Sequence, residues 1–151
     1  MNKVIALGAD NGYMDKVETT IKSVCAHNDS IKFYVFNDDL PSEWFRVMNK
    51  RLKTIHSEIV NVKISDNNLQ GYHLPTAHLS YAAYFRFFIS KIVEEERVLY
   101  LDSDIIVDGS LTELFETDFD DSPLATVRDE VMWSNFNSGV MLINNKYWRE
   151  H

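Results

Sequence analysis

Two aspartates, Asp102 and Asp104, lie one residue apart directly after an apolar run at residues 98–101. Successive side chains of a strand alternate between its two faces, so residues i and i+2 project to the same side. The two carboxylates could therefore converge on one point, and such hard oxygen ligands favour a divalent cation such as Mg²⁺ or Mn²⁺. The same short pattern also fits a polar turn with solvated carboxylates, so its interpretation depends on the rest of the chain.

The hydrophobic pattern predicts the elements that position these aspartates. Apolar runs of strand length occur at residues 4–8, 31–36, 58–64, 124–127 and 140–143, in addition to the run before Asp102. Helical periodicity recurs around residues 17–25, 41–52 and 79–93. Strands that alternate with helices predict an α/β fold with a mainly parallel, doubly wound sheet flanked by helices.

Polar residues after the first strand are expected to lie near the two aspartates. Ligands of such sheets bind beyond the carboxyl ends of the strands, and Asp10 and Asn11 directly follow the first predicted strand. We therefore expect them at the same edge as Asp102 and Asp104. A plain Asx turn is an alternative role for Asp10, because Gly12 follows closely. The sequence has no Gly-x-Gly-x-x-Gly motif here, so a dinucleotide site has no support.

Arg86 lies in the segment 79–93, which is apolar almost all round and therefore predicts a buried helix. A buried guanidinium needs an anionic partner and favours bidentate binding of a carboxylate or a phosphate. A side chain that reaches solvent, or one that pairs with an aspartate for structural reasons, fits the sequence equally well.

A polar run of small residues, Asn137, Ser138 and Gly139, precedes the apolar run 140–143. This composition predicts a turn before a strand, in which a ligand can approach the backbone closely. An ordinary tight turn is equally compatible with it.

The composition limits the classes of function. The 151 residues fit one domain, and the net charge of −8 argues against binding to nucleic acid. An anionic ligand would need a metal ion or a placed arginine. Cys25 is the only cysteine, which rules out an intrachain disulfide, and it is predicted to pack on the apolar face of the first helix. No apolar run approaches the roughly 18 residues of a membrane span, and the first residues lack a signal-peptide pattern.

Four short segments, taken together and in this order, carry a resemblance to a known family. The chain resembles glycosyltransferase family 8, the bacterial retaining galactosyl- and glucosyltransferases that use nucleotide sugars. The resemblance spans nearly the whole chain. Its segments are Ala9-Asp10-Asn11-Gly12-Tyr13, Tyr84-Phe85-Arg86, residues 98–104 with Asp102-Ser103-Asp104, and residues 136–144 with Asn137-Ser138-Gly139, followed by Trp148-Arg149.

The resemblance implies a GT-A-like, Rossmann-like fold that binds a nucleotide sugar. It implies metal-dependent transfer of a hexose from UDP-galactose or UDP-glucose to a saccharide acceptor, with retention, in the synthesis of lipopolysaccharide or another surface glycan. Asp102 and Asp104 would hold Mn²⁺ or Mg²⁺. The expected location is the cytoplasm, at the inner face of the cell membrane for the full-length protein.

The resemblance also implies a role for individual residues in binding the donor and the acceptor. The segment from Ala9 onward lies at the uracil, and Ser103 contributes backbone at the ribose. The other implied binding residues, in chain order, are Asp10 and Tyr13 on the uracil, Asn11 nearby, His78 on the acceptor side, Arg86 at the diphosphate and sugar, and Asn137, Ser138 and Gly139 beside the donor sugar.

Several functional residues of the family fall beyond residue 151. These are the donor-sugar aspartate, the glutamine near the reacting carbon, a histidine that completes the metal site, and a basic, aromatic tail. We therefore expect residues 1–151 to form one nucleotide-sugar-binding core domain, the N-terminal portion of the family fold, without the acceptor part. We also expect weaker metal binding and self-association through the surface that this part would cover.

Other classes of function remain to be weighed against the transferase. One is a module that binds UDP or a UDP-sugar without turnover, or serves as an interaction subunit. Another is phosphoryl transfer by an aspartate nucleophile, in which the motif usually follows the first strand, whereas Asp102 lies in the middle of this chain. A calcium loop is disfavoured because Ile106 occupies the third ligand position.

Overall fold

The computed structural model describes residues 3–64, 81–119, 121–132 and 135–151, with side chains at all of these except residues 81–84. Six strands are present in this part of the chain. They are β1 (Lys3–Gly8), β2 (Ile31–Asn37), β3 (Glu58–Lys63), β4 (Arg97–Leu101), β5 (Leu124–Arg128) and β6 (Phe136–Asn144). The α-helices are α1 (Met14–Cys25), α2 (Ser42–Leu52), α3 (Ile89–Ile92), α4 (Thr112–Phe115) and α5 (Asn145–Glu150). Short 3₁₀ helices span Asn11–Tyr13 and Lys53–Ile55, and a longer one, Tyr81–Phe88, leads into α3.

The strands form one sheet in the order β3-β2-β1-β4-β6-β5. Strands β1 to β4 run parallel to one another, whereas β6 runs antiparallel to both β4 and β5. The predicted mainly parallel α/β sheet is therefore confirmed. Because β6 enters the sheet in the reverse direction, its first half lies next to the carboxyl end of β4, where Leu101 pairs with Val140.

The strands bury side chains on both faces of the sheet. On one face, Leu99 and Leu101 of β4 join the buried residues of α1 and α2. On the other face, Val98 and Tyr100 pack with the 3₁₀ helix Tyr81–Phe88 and with α3. Buried runs on both faces are the expected pattern for strands covered by helices. Because side chains alternate along β4, the Tyr100 side chain lies on the same face of the sheet as Arg86.

Two local predictions differ from the structure. The segment around Arg86 was expected to be a helix buried all round, but Tyr81–Phe88 is a 3₁₀ helix and Phe87 is 54% exposed. Three residues per turn place Phe85 and Phe88 on one buried face and turn Phe87 away from it. The predicted turn at residues 137–139 is also wrong, because these residues belong to β6, between Phe136, which pairs with β5, and Val140, which pairs with β4. No helix in the described ranges is long and apolar enough to cross a membrane.

Candidate functional site at the carboxyl edge of the sheet

Asp102, the first residue after β4, is held by contacts on three sides. Its main-chain N–H donates to the carbonyl oxygen of Gly139 at 2.8 Å. Its Oδ1 accepts from the hydroxyl of Tyr100 at 2.8 Å. Its Oδ2 lies so close to Gly139 that a Cβ there would be 2.7 Å away, which is nearer than a side chain tolerates. The absence of a side chain at Gly139 therefore leaves the space that the Asp102 carboxylate occupies.

Tyr100 and Arg86 form the neighbouring part of the site. The guanidinium carbon of Arg86 lies 5.3 Å from the centroid of the Tyr100 ring, within the range of a cation–π contact. Arg86 Nη1 also lies 3.5 Å from the carbonyl oxygen of Ser138. Burial, and then the charge of Asp102, raise the pKa of the Tyr100 phenol above its usual range. The phenol is thus a hydrogen-bond donor to Asp102 at neutral pH.

The segment that follows Asp102 is not a continuation of β4, which ends at Leu101. The expectation that Asp102 and Asp104 share one side of a strand is therefore wrong, since both lie in the loop. Helix α1 fixes this loop instead. The hydroxyl of the fully buried Thr20 donates to the carbonyl oxygen of Ser103 at 3.1 Å, and the N–H of Val107 donates to the Ser23 hydroxyl at 2.9 Å.

Asp102 and Asp104 face two cavities at the same edge. Asp102, Asn137 and Gly139 line one of about 600 Å³. Asp104 is exposed and lines another of about 290 Å³ together with residues of α1, including Lys16. Their charges nevertheless act on one group, because both Asp102 and Asp104 raise the pKa of Tyr100.

Polar residues after β1 and β2 form the other part of the edge. Asp10 Oδ1 accepts from the N–H of Tyr13 at 3.1 Å and thereby caps the 3₁₀ helix Asn11–Tyr13, so the Asx role considered for it is present. The N–H of Asn11 donates to Asp39 Oδ1 at 2.7 Å. The Tyr13 ring is 41% exposed, and Lys16 Nζ lies 4.5 Å from its centroid.

The predicted binding residues differ in what they can offer a ligand. Ala9 is buried and donates its N–H to the carbonyl oxygen of Phe36, so its methyl group belongs to the core. Asn137 is exposed and its Oδ1 accepts from the N–H of Gly139 at 2.9 Å. Ser138 lies between them in β6, with its carbonyl oxygen toward Arg86. His78 lies outside the described residues.

Three residues of this edge were not among the predicted site residues. Tyr100 was assigned to the aromatic and apolar interior of a strand, and its contact with Asp102 depends on the end of β4, which the sequence does not reveal. Asp38 and Asp39 directly follow β2 and were not predicted as site residues. Burial, followed by the charge of Asp39, raises the pKa of Asp38, and the charge of Asp10 adds to this effect. A second acidic pair directly after a predicted parallel strand was the signal available in the sequence.

The donor atoms of this edge fit a hard divalent cation. Carboxylate oxygens are the ligands that Mg²⁺ and Mn²⁺ prefer, and Asp102 is already positioned by Tyr100 and Gly139. Within the described ranges, no three His, Cys, Asp or Glu side chains are grouped so that they could hold a metal ion. Asp102 and Asp104 are thus the two carboxylates of the loop after β4 that could contribute oxygens to such a cation, and further positions would fall to water or to oxygens of a bound anion.

The sheet order, with its polar residues beyond the carboxyl ends of β1 and β4, defines a GT-A-like α/β fold. Residues 4–151 match the model of glycosyl transferase family 8, and the chain belongs to this family.

Relatives of known sequence and structure match nearly the whole of this chain. Glycosyltransferase GlyB of Streptococcus pneumoniae serotype 4 is 58% identical over an alignment that covers 98% of this chain and 37% of GlyB. The lipopolysaccharide 1,3-galactosyltransferase of Salmonella typhimurium is 32% identical over 95% of this chain and 49% of its own. The crystal structure of galactosyltransferase LgtC with donor and acceptor sugar analogs superimposes with a TM-score of 0.84 at 29% identity, covering 98% of this chain and 60% of LgtC. This chain spans less than half the length of these two curated relatives.

Proposed function

We propose that residues 1–151 form the nucleotide-sugar-binding core of a metal-dependent hexosyltransferase that uses UDP-galactose or UDP-glucose. The observation that carries this proposal is the Asp102 carboxylate, fixed between the Tyr100 hydroxyl and Gly139 at the carboxyl edge of the sheet. A carboxylate held in place before any ligand arrives loses little conformational freedom on binding, which favours metal binding. The family membership and the relatives described above support the same function.

The charge balance supports an anionic donor at this edge. The chain carries a net charge of −8, so a diphosphate needs positive charge close by. In this proposal Asp102 and Asp104 hold Mn²⁺ or Mg²⁺, which when bound acts as a Lewis acid on the leaving diphosphate. Arg86, which faces Tyr100 and the carbonyl of Ser138, contributes the second positive charge in this proposal.

The roles proposed for the remaining binding residues come from the family resemblance, and the positions of the described ones at this edge support them. Asp10, Asn11 and Tyr13 are proposed to bind the uracil, for which the exposed Tyr13 ring offers a stacking surface. The backbone of Ser103, fixed by Thr20, is proposed to contact the ribose. In the same proposal Ala9 contributes backbone only, while Asn137, Ser138 and Gly139 bind the donor sugar and His78 lies toward the acceptor.

The acceptor is proposed to be a saccharide, and the reaction to proceed with retention. The similarity to two relatives, a lipopolysaccharide 1,3-galactosyltransferase and a lipopolysaccharide 1,2-glucosyltransferase, supports a role in lipopolysaccharide or surface-glycan synthesis. The cytoplasmic side of the membrane is the proposed location, because nucleotide sugars are the donors. A module that binds UDP without turnover is the second candidate, and it shares every residue of the donor site.

Calorimetric titration of the chain with UDP, with and without Mn²⁺, tests the donor site. We expect UDP to bind far more tightly with Mn²⁺, and we expect Asp104→Asn to remove at least about tenfold of that gain. Asp108→Asn is the matched control, since Asp108 is an exposed aspartate of the same loop and the substitution removes the same charge. UDP affinity that is independent of Mn²⁺, or equal loss in both variants, would contradict the metal role.

Release of UDP from UDP-galactose and UDP-glucose, each with Mn²⁺, then separates the two candidates. Release above the rate of the Asp102→Asn variant supports the transferase. Tight binding of UDP with no release from either donor supports the binding module.

A further inference from the structure

The geometry points to Tyr100 as a positioning residue that holds Asp102 for metal binding and connects it to Arg86. This inference rests on the proposed function, because it assigns Tyr100 a role toward the same metal and diphosphate. Tyr100 itself is not expected to touch the donor, since only 4% of its surface is exposed. It acts through the carboxylate that it binds.

The hydroxyl of Tyr100 restricts which oxygen of Asp102 is available. Oδ1 accepts from the phenol at 2.8 Å, and the main-chain N–H of the same aspartate is bound to Gly139. Hydrogen bonds to a carboxylate fix its rotamer and leave the other oxygen for a cation. Without the phenol, the side chain of Asp102 would be free to rotate away from Gly139, and metal binding would have to select one orientation from several.

The ring of Tyr100 provides the connection to the positive side of the site. The guanidinium of Arg86 lies over its face at 5.3 Å, while the hydroxyl at the far end of the ring donates to Asp102. The buried Tyr100 side chain thus sets the distance between Arg86, which is proposed to bind the diphosphate, and Asp102, which is proposed to bind the metal ion. A ligand that carries both a diphosphate and a metal ion would depend on that separation.

Another tyrosine of the same sheet, Tyr34, serves as a matched control for Tyr100. Tyr34 of β2 lies in the same row of the sheet, since both Tyr34 and Tyr100 pair with Ala6 of β1. Tyr34 is also buried, its hydroxyl donates to the carboxylate of Glu95 at 2.9 Å, and Lys32 Nζ lies 4.9 Å from its ring centroid. Its carboxylate partner precedes β4 instead of following it, at the amino end of the strand.

The test compares Tyr100→Phe with Tyr34→Phe, each of which removes one buried hydroxyl and keeps the ring. Mn²⁺ affinity is measured by electron paramagnetic resonance at saturating UDP, UDP affinity by calorimetry with and without Mn²⁺, and the folded state by the melting temperature. We expect Tyr100→Phe to weaken Mn²⁺ binding by about 10- to 100-fold, the usual cost of losing a group that orients a metal ligand. We expect little change in UDP affinity without Mn²⁺, and Tyr34→Phe to stay within about twofold of the wild type in both measurements.

A double-mutant cycle shows whether Tyr100 acts through Asp102. If it does, adding Tyr100→Phe to Asp102→Asn produces no further loss of Mn²⁺ affinity. A lower melting temperature of the variants does not affect this comparison, because the Asp102→Asn protein and the double variant both carry the Asp102→Asn substitution. A further loss in the double variant would overturn the inference, as would wild-type Mn²⁺ affinity in Tyr100→Phe. Absence of Mn²⁺-dependent UDP binding in the wild type would instead overturn the proposed function itself, and this inference with it.

Discussion

The N–H of Asp102 donates to the carbonyl oxygen of Gly139 at 2.8 Å, so the residue after β4 is bound to the middle of β6. The pairing of Leu101 with Val140 continues this ladder inward. The contact joins two segments that are far apart in the sequence. This contact explains why Gly139 of β6 influences the orientation of the Asp102 carboxylate in the loop after β4.

Substitution of Gly139 by alanine is expected to displace the Asp102 carboxylate. The new Cβ would lie 2.7 Å from Asp102 Oδ2 and 3.1 Å from Asn137 Oδ1, so the Asp102 carboxylate would have to shift. We expect at least about a tenfold loss of Mn²⁺-dependent UDP affinity and a loss of about 1–3 kcal/mol in the free energy of unfolding from overpacking. Calorimetry and urea denaturation measure the two effects.

Gly109→Ala is the control for this prediction. A Cβ at Gly109 meets no atom within 4 Å, so the variant tests the addition of a methyl group in an open loop. Equal UDP affinity in Gly139→Ala and Gly109→Ala would show that Asp102 does not depend on the space that Gly139 leaves.

Thr20→Val is expected to loosen the loop that carries Ser103 and Asp104. Valine keeps the shape of threonine but cannot donate to the Ser103 carbonyl, which then loses its partner beside a fully buried side chain. The expected cost is about 1–3 kcal/mol in the free energy of unfolding, measured by urea denaturation. Thr19→Val is the control, because the hydroxyl of the exposed Thr19 donates within its own helix to the Asp15 carbonyl. A cost at position 19 as large as at position 20 would contradict the explanation.

Residues whose burial follows from local periodicity were predicted correctly. Val17, Ile21 and Val24 recur at helical spacing and form the buried face of α1. The strands at residues 4–8 and 31–36 were placed to within one residue of β1 and β2 at each end. Patterns of this kind arise within one element, where the sequence contains all of the information needed.

The features that were wrong or missed depend on contacts between distant segments. Asn137, Ser138 and Gly139 look like a turn by composition, but they lie in β6, where the carbonyl oxygen of Gly139 accepts from the distant Asp102 N–H. Tyr100 is one of several large residues in an apolar run, and its role follows from where β4 ends. The exposure of Phe87 depends on 3₁₀ winding, which helical periodicity at 3.6 residues per turn does not distinguish.

Glu95 is expected to make the stability of the fold depend on pH in the acidic range. Its carboxylate accepts from Lys32 Nζ at 2.8 Å and from the Tyr34 hydroxyl at 2.9 Å. Burial alone would raise the pKa of Glu95, but hydrogen bonds from Lys32, from its own backbone N–H and from Tyr34 outweigh burial and lower it. A pKa that is lower in the folded than in the unfolded state stabilises the fold above the unfolded value, about 4.3, and this stabilisation is lost as the pH falls through the folded pKa.

Urea denaturation of Glu95→Gln and of the wild type from pH 7 to pH 3 checks this dependence. We expect the variant to be less stable by about 1–3 kcal/mol at pH 7, and we expect the difference to shrink below about pH 4.3. Glu43→Gln in the same salt is the control, since the ion pair of Glu43 with Arg46 is exposed and screened. A difference between Glu95→Gln and the wild type that stays constant across this range would contradict the role of the ionised carboxylate.

Cys25 is expected to be an unreactive thiol in the folded protein. It lies at the end of α1, partly buried against the core, and burial raises the pKa of its thiol to about 11. Only the thiolate is a nucleophile, so at pH 8 alkylation by iodoacetamide should be roughly 100-fold slower in the folded chain than in urea. The alkylation rate of the folded chain should rise about tenfold for each pH unit up to pH 10, because the thiolate fraction of Cys25 rises by the same factor. Mass spectrometry of the modified chain measures both rates, with Cys25→Ser as the baseline for other side chains. Equal rates in the folded and unfolded chain would mean that the thiol is open to solvent, and that this face of α1 does not pack as described.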